Sequence, residues 1–76
     1  MSVQSDQRTL SLNDIGDDVR RLQNFLNNFD FGSIAEDGVF GSDTEDAVKR
    51  YQSDRELSAD GIVGSDTWAR INHDLS

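Results

Sequence analysis

The chain has 76 residues, a formal net charge of −8, one histidine, no cysteine and no proline. That length supports one small domain, near the lower limit for a self-sufficient core. No disulfide framework, thiolate zinc site or histidine-rich metal cluster can form, and the acidity argues against nucleic acid or anionic membrane surfaces as partners.

Residues 1–9 read as a flexible tail and residues 10–76 as the domain. Met1–Arg8 is polar rather than signal-like, and no segment has the apolar length of a membrane span. This leaves open the cytoplasm, export within a larger parent, or another route; an exported parent would place the domain at the cell wall, in the periplasm or outside the cell. Leu10 and Leu12 alternate with polar residues, predicting a short extended lead-in. A first helix is predicted from Asp17 to Asn28, where Val19, Leu22, Leu26 and Phe29 recur at spacings of three and four and Phe25 widens the stripe. Asn27-Asn28 is expected to fray its end. A second helix is predicted from Asp43 to Asp54 with Ala47, Val48 and Tyr51 inward. Ser42 with Glu45 fits a capping box there, although Gly41 is an alternative cap. A third is predicted from Asp66 to Asp74, burying Trp68, Ile71 and Leu75.

Much of the negative charge falls where these helices begin, at Asp17, Asp18, Asp43, Glu45, Asp46 and Asp66, where carboxylates complement the helix dipole. Basic residues follow one turn later, so Asp17–Arg21, Glu45–Lys49, Asp46–Arg50 and Asp66–Arg70 are expected pairs. The acidity therefore reads chiefly as helix architecture.

Two segments are near copies: Asp37-Gly38-Val39-Phe40-Gly41-Ser42-Asp43-Thr44 and Asp60-Gly61-Ile62-Val63-Gly64-Ser65-Asp66-Thr67. A second echo links Val19-Arg20-Arg21-Leu22-Gln23 to Val48-Lys49-Arg50-Tyr51-Gln52. Repetition in register marks loop-plus-helix modules stacked on one another. Each Asp-Gly marks a tight turn, and the apolar pairs Val39-Phe40 and Ile62-Val63 are expected to enter the core. The fold class is all-α, a small three-helix bundle with structured Asp-Gly loops and at most a vestige of strand pairing.

In order along the chain come Leu10-Ser-Leu, Gly16, Val19-x-x-Leu22-Gln23-x-x-Leu26, Phe29-x-Phe31, the first Asp-Gly element, Ala47-Val48-x-x-Tyr51-Gln52, Leu57, and the second element ending in Thr67-Trp68. This ordered set resembles the peptidoglycan-binding-like domain family (PGBD, or PG_binding_1), which accompanies many bacterial cell-wall hydrolases. The family usually has proline where this chain has Asp17, Ser42 and Ser65, and often glycine at Asn13, Asp30 and Glu56. The resemblance implies a non-catalytic, cofactor-free module. Its partner would be peptidoglycan or its fragments, with a cell-wall hydrolase or other protein as a further partner, and with no nucleic acid and no membrane insertion. A protein–protein interaction module reusing the fold within a larger assembly is the alternative.

Other chemistries fit poorly. Read as EF-hand loops, the Asp-Gly elements place Thr44 and Thr67 at the twelfth position, where calcium needs a bidentate glutamate. His73, Asp74 and Ser76 crowd one C-terminus and cannot hold a triad's geometry. The repeated Gln23, Gln52, Thr44 and Thr67 are expected to satisfy loop backbone groups. Only the first Asp-Gly loop follows a longer connection, Phe31–Glu36, and carries an aromatic, Phe40. The expected ligand-binding set is therefore Phe31, Ser33, Asp37, Phe40, Arg50 and Tyr51.

Overall fold

The computed structural model describes residues 8–76, so most of the expected tail lies outside the described residues. Three helices follow one another, α1 (Asp17–Asn28), α2 (Ser42–Asp54) and α3 (Ser65–Leu75), as the apolar spacing predicts. Among the described residues, strand pairing is reduced to two isolated antiparallel bridges, Leu10 with Val63 and Ile15 with Val39. The first ties the lead-in to the second Asp-Gly loop through Leu10 N–H to Val63 O (3.1 Å) and Val63 N–H to Leu10 O (2.8 Å).

The N-cap residues of all three helices contribute backbone alone. Gly16, Gly41 and Gly64 occupy the N-cap positions without any side-chain cap bond, so the Ser42–Glu45 capping box does not form. Each glycine carbonyl accepts the first helical bond, from Arg20, Glu45 and Trp68 respectively. Ser42 and Ser65 therefore begin their helices one residue earlier than predicted.

The two longer exits share another device. Asp30 N–H bonds Asn27 O and Phe31 N–H bonds Leu26 O; likewise Glu56 N–H bonds Ser53 O and Leu57 N–H bonds Gln52 O. These are paired 5→2 and 6→1 closures, which require a left-handed residue just past the cap. Asp30 (φ 66°) and Glu56 (φ 62°) supply it although neither is glycine.

The core gathers Leu10, Val19, Leu22, Phe25, Leu26, Phe40, Ala47, Val48, Tyr51, Val63, Trp68 and Ile71, with Phe29, Phe31 and Ile34 packed against it. Three expectations need correction. Val39 and Ile62 stay about two-fifths exposed while Phe40 and Val63 are fully buried, because an extended backbone sends successive side chains to opposite sides. Leu75 at the last turn of α3 is 62% exposed. Asn27 does not fray: it donates to Ile34 O (2.8 Å) and accepts from Ile34 N–H (2.9 Å), clamping the 31–36 connection onto α1.

The expected i,i+4 ion pairs are replaced by others. Asp17 takes Arg20 (3.0 Å), and Asp18 takes Arg8 through two bonds of 2.7 and 3.1 Å, which anchors the start of the described chain. Asp74 takes Arg55 (3.0 Å) and Arg70 (3.7 Å), and Arg55 also meets Asp54.

Candidate functional site

Asp37 and its counterpart Asp60 belong to two nearly identical hydrogen-bonded locks. The buried Gln23 amide donates to Asp37 Oδ1 (3.2 Å), Val39 O (2.8 Å) and Thr44 Oγ1 (3.1 Å), while its oxygen accepts from Gly38 N–H (2.9 Å). Gln52 repeats the set on Asp60 Oδ1 (3.2 Å), Ile62 O (2.8 Å), Thr67 Oγ1 (3.1 Å) and Gly61 N–H (3.0 Å). Asp37 also accepts from Val39 N–H and Asp60 from Ile62 N–H, both at 3.0 Å. These backbone bonds are the leading cause that holds each carboxyl below its usual range. Gly38 and Gly61 turn the loops at φ 78°, a region open to glycine at little cost. Asp37 is thus committed to loop geometry.

The aromatic residues divide between core and rim. Phe40 is fully buried and Tyr51 nearly so, and neither presents a ring face to solvent, contrary to the expectation that they contact a ligand. The reason is packing: Tyr51 meets Phe25 and Phe31 edge-to-face at centroid distances of 5.3 and 5.2 Å. Phe31 is half-buried, and the Arg55 guanidinium lies 5.5 Å from its ring centre and 5.2 Å from that of Tyr51. Cation and ring edges fix the orientation of Phe31.

Phe31, Ser33 and Arg50, the remaining expected residues, do come together. They line one hollow of about 170 Å³ with Gly32, Ile34, Asp43, Asp46 and Ala47. Its one wall is the clamped 31–36 connection and its other wall is α2, where positions 43, 46, 47 and 50 share a helical face. Sequence reasoning overlooked Asp43 and Asp46 as lining residues because it assigned them to helix capping and pairing. Their spacing relative to Arg50 was the available signal. Among the described residues, another hollow of about 220 Å³ lies at the second Asp-Gly loop, lined by Leu57, Ser58, Asp60, Ile62 and the start of α3. A further one, of about 280 Å³, lies between Ile15–Asp17, Arg20 and Asp37–Gly38. Neither contains an aromatic side chain. Among the described residues, no group of three or more histidine, cysteine, aspartate or glutamate side chains is arranged to hold a metal ion.

Residues 15–71 match the family described as "Putative peptidoglycan binding domain", PG_binding_1, and the chain belongs to that family. It is similar to the zinc D-Ala-D-Ala carboxypeptidase of Streptomyces albus G, 42% identical over 65 residues that make up 83% of this chain and 26% of that protein. Among solved structures it is similar to the SleB N-terminal domain, with a TM-score of 0.86, 29% identity, and coverage of 91% of this chain and 94% of that one. A periplasmic domain of the EpsAB fusion protein of the Vibrio vulnificus type II secretion system also superposes, with a TM-score of 0.83 and 26% identity, covering 92% of this chain and 32% of that one. The chain spans from 10% to 58% of the length of the first curated relatives it matches. Two further relatives are named as N-acetylmuramoyl-L-alanine amidases, and among the described residues no helix is long and apolar enough to cross a membrane.

Proposed function

We propose that this chain is a non-catalytic module that binds peptidoglycan and holds a cell-wall hydrolase, fused or associated, against its polymeric substrate. The observation that carries the reading is the family match over 15–71 on a fold shared with the N-terminal domain of SleB. Relatives named as amidases and a spore cortex-lytic enzyme support action at the cell wall or outside the cell. The contact surface on this reading is the hollow of Phe31, Ser33 and Arg50, where Phe31 supplies an aromatic wall. Shallow, half-open contact gives weak binding, which tethering to an enzyme converts into high local concentration.

A second reading, an interaction module within a protein assembly, is favoured by the likeness to the secretion-system EpsAB domain. Co-sedimentation with purified sacculi separates the two. Wall binding predicts that the protein pellets with sacculi and is released by soluble muropeptide; protein remaining in the supernatant at every sacculus concentration would overturn it and favour the assembly reading.

A further inference from the structure

We propose that the hollow beside α2 receives the free end of a wall peptide, where an ammonium and a carboxylate sit together, rather than the sugar chain. This rests on the wall-binding reading and specifies its ligand. The floor is apolar: Ala47 is buried, Ile34 is half-buried, and Gly32 keeps the space above them open. A Cβ at Gly32 would stand 3.4 Å from Ala47 Cβ and 3.5 Å from Ile34 Cγ2, occupying part of that space. Phe31 closes one side, its ring held by Tyr51 and Arg55.

The rim carries both signs of charge. Asp43, Asp46 and Arg50 are exposed on one face of α2, and at about 1.5 Å rise per residue the last two are offset by about 6 Å along the helix. Although Asp46 and Arg50 stand at i,i+4, they form no ion pair with each other or with any other described residue. Arg55, one turn further on, is by contrast saturated by Asp54 and Asp74. Asp43 commits one oxygen to Thr44 N–H at 2.8 Å.

This charge pattern discriminates among wall components. A neutral sugar answers neither charge. A phosphate polymer meets two carboxylates and a chain of net charge −8. A simple amine leaves Arg50 unanswered. A diamino-acid end, with its aliphatic stem on Ala47 and Ile34, its ammonium toward Asp43 and Asp46 and its carboxylate toward Arg50, satisfies all three parts. Cross-linking of the wall turns that ammonium into an amide and removes its charge, so the module selects uncross-linked peptide ends.

The test is an amide-shift NMR titration of the whole chain with L-alanyl-γ-D-glutamyl-meso-diaminopimelic acid, the same peptide acetylated on its side-chain amine, and the neutral β-1,4-linked N-acetylglucosamine disaccharide. The free tripeptide is expected to shift amides of residues 31–34 and 43–50. Acetylation, Asp46→Asn and Arg50→Gln should each weaken binding about two- to fivefold, the range of an exposed ion pair, with circular dichroism unchanged. Equal binding of free and acetylated peptide, or shifts at these amides with the disaccharide alone, would overturn the proposal. Native protein that pellets with sacculi yet ignores the tripeptide overturns the peptide-end assignment alone; failure to pellet overturns the wall reading as well.

Discussion

The Tyr51 hydroxyl donates to Asp74 Oδ2 at 2.7 Å, joining the last turn of α2 to the last turn of α3, and Arg55 donates to the same oxygen at 3.0 Å. Burial pushes the carboxyl of Asp74 up, but the bonds from Tyr51 and Arg55 outweigh it and leave Asp74 below its ordinary value. For Tyr51, burial first and then the bond to Asp74 raise the phenol above its ordinary 10.0. One contact thus fixes the end of α3, the orientation of the Phe31 wall through Tyr51, and the response to alkali.

Tyr51→Phe should cost about 1.5–3 kcal/mol at neutral pH, the range for losing a hydrogen bond to a charged group. The alkaline limb supplies the sign. The folded phenol keeps its proton while the unfolded one ionises near 10.0, so the folded state binds more protons above that pH. The contribution is whole below pH 10 and is lost as pH rises further. Urea unfolding between pH 8 and 11 should show a steeper alkaline decline for wild type than for Tyr51→Phe; parallel declines would exclude the mechanism.

Acid acts through the loops. Asp37 is held low by Val39 N–H and then by the Gln23 amide. Asp60 is held low chiefly by Ile62 N–H and also by the Gln52 amide, which together outweigh desolvation. A carboxyl depressed in the folded state contributes stability above its unfolded value of 3.8, lost as pH falls through the lower folded value. Asp37→Asn plus Asp60→Asn keeps an acceptor oxygen but no titration. Melting temperature measured from pH 5 to pH 2 should fall less steeply for the double variant than for wild type.

Gln23 and Gln52 should be the most sensitive polar positions. Truncation to Ala strands a buried glycine N–H and a loop carbonyl and leaves a cavity, together costing about 2–4 kcal/mol. That is a large share of the roughly 4–11 kcal/mol available to a domain of this size. Because the two locks match bond for bond, Gln23→Ala and Gln52→Ala should lose similar amounts in urea unfolding. A near-neutral result at either would show that water replaces the amide.

The helices were legible because apolar spacing of three and four is imposed by the helix itself, and α1 begins and ends where Val19 to Phe29 predict. Gly38 and Gly61, expected to mark turns, both take φ 78°. What the residues did not disclose was the direction of side chains in extended segments. Phe40 looked like a ligand contact from its place in the loop, yet alternation buries it and exposes Val39. Ion pairing was equally opaque, since Asp46 and Arg50 have the right spacing and do not pair, while Arg55 and Asp74, nineteen residues apart, do. The hollow joins a loop to a helix face, and the clamp that shapes it depends on Asn27 reaching Ile34, a contact without a local signal.

Proline at the helix starts should stabilise. Gly41 and Gly64 are extended (ψ −173° and −165°), as a residue before proline must be, and Ser42 and Ser65 sit at the first helical position, where no intrahelical N–H bond is lost. Since Ser42 is not a cap, Ser42→Pro and Ser65→Pro should each add about 0.4–1 kcal/mol through the unfolded chain. Losses above about 2 kcal/mol in chemical denaturation would mean that these N–H groups are needed.

Glycine at the left-handed positions should stabilise in a graded way. Asn13 (φ 80°), Asp30 (φ 66°) and Glu56 (φ 62°) all adopt left-handed backbone, which glycine enters at little cost. A left-handed non-glycine residue costs about 1–2 kcal/mol, against about 0.5–1 kcal/mol for the extra freedom glycine loses on folding. Asn and Asp tolerate the region through local hydrogen bonding, whereas Glu lacks that reach. Glu56→Gly should therefore gain about 0.5–1 kcal/mol, Asp30→Gly less, and Asn13→Gly close to nothing. Thermal unfolding of the three single variants checks the order. If Asn13→Gly stabilised most, left-handed strain would not be the governing term, and the closure of α2 through Glu56 and Leu57 would have to be held by something other than backbone conformation.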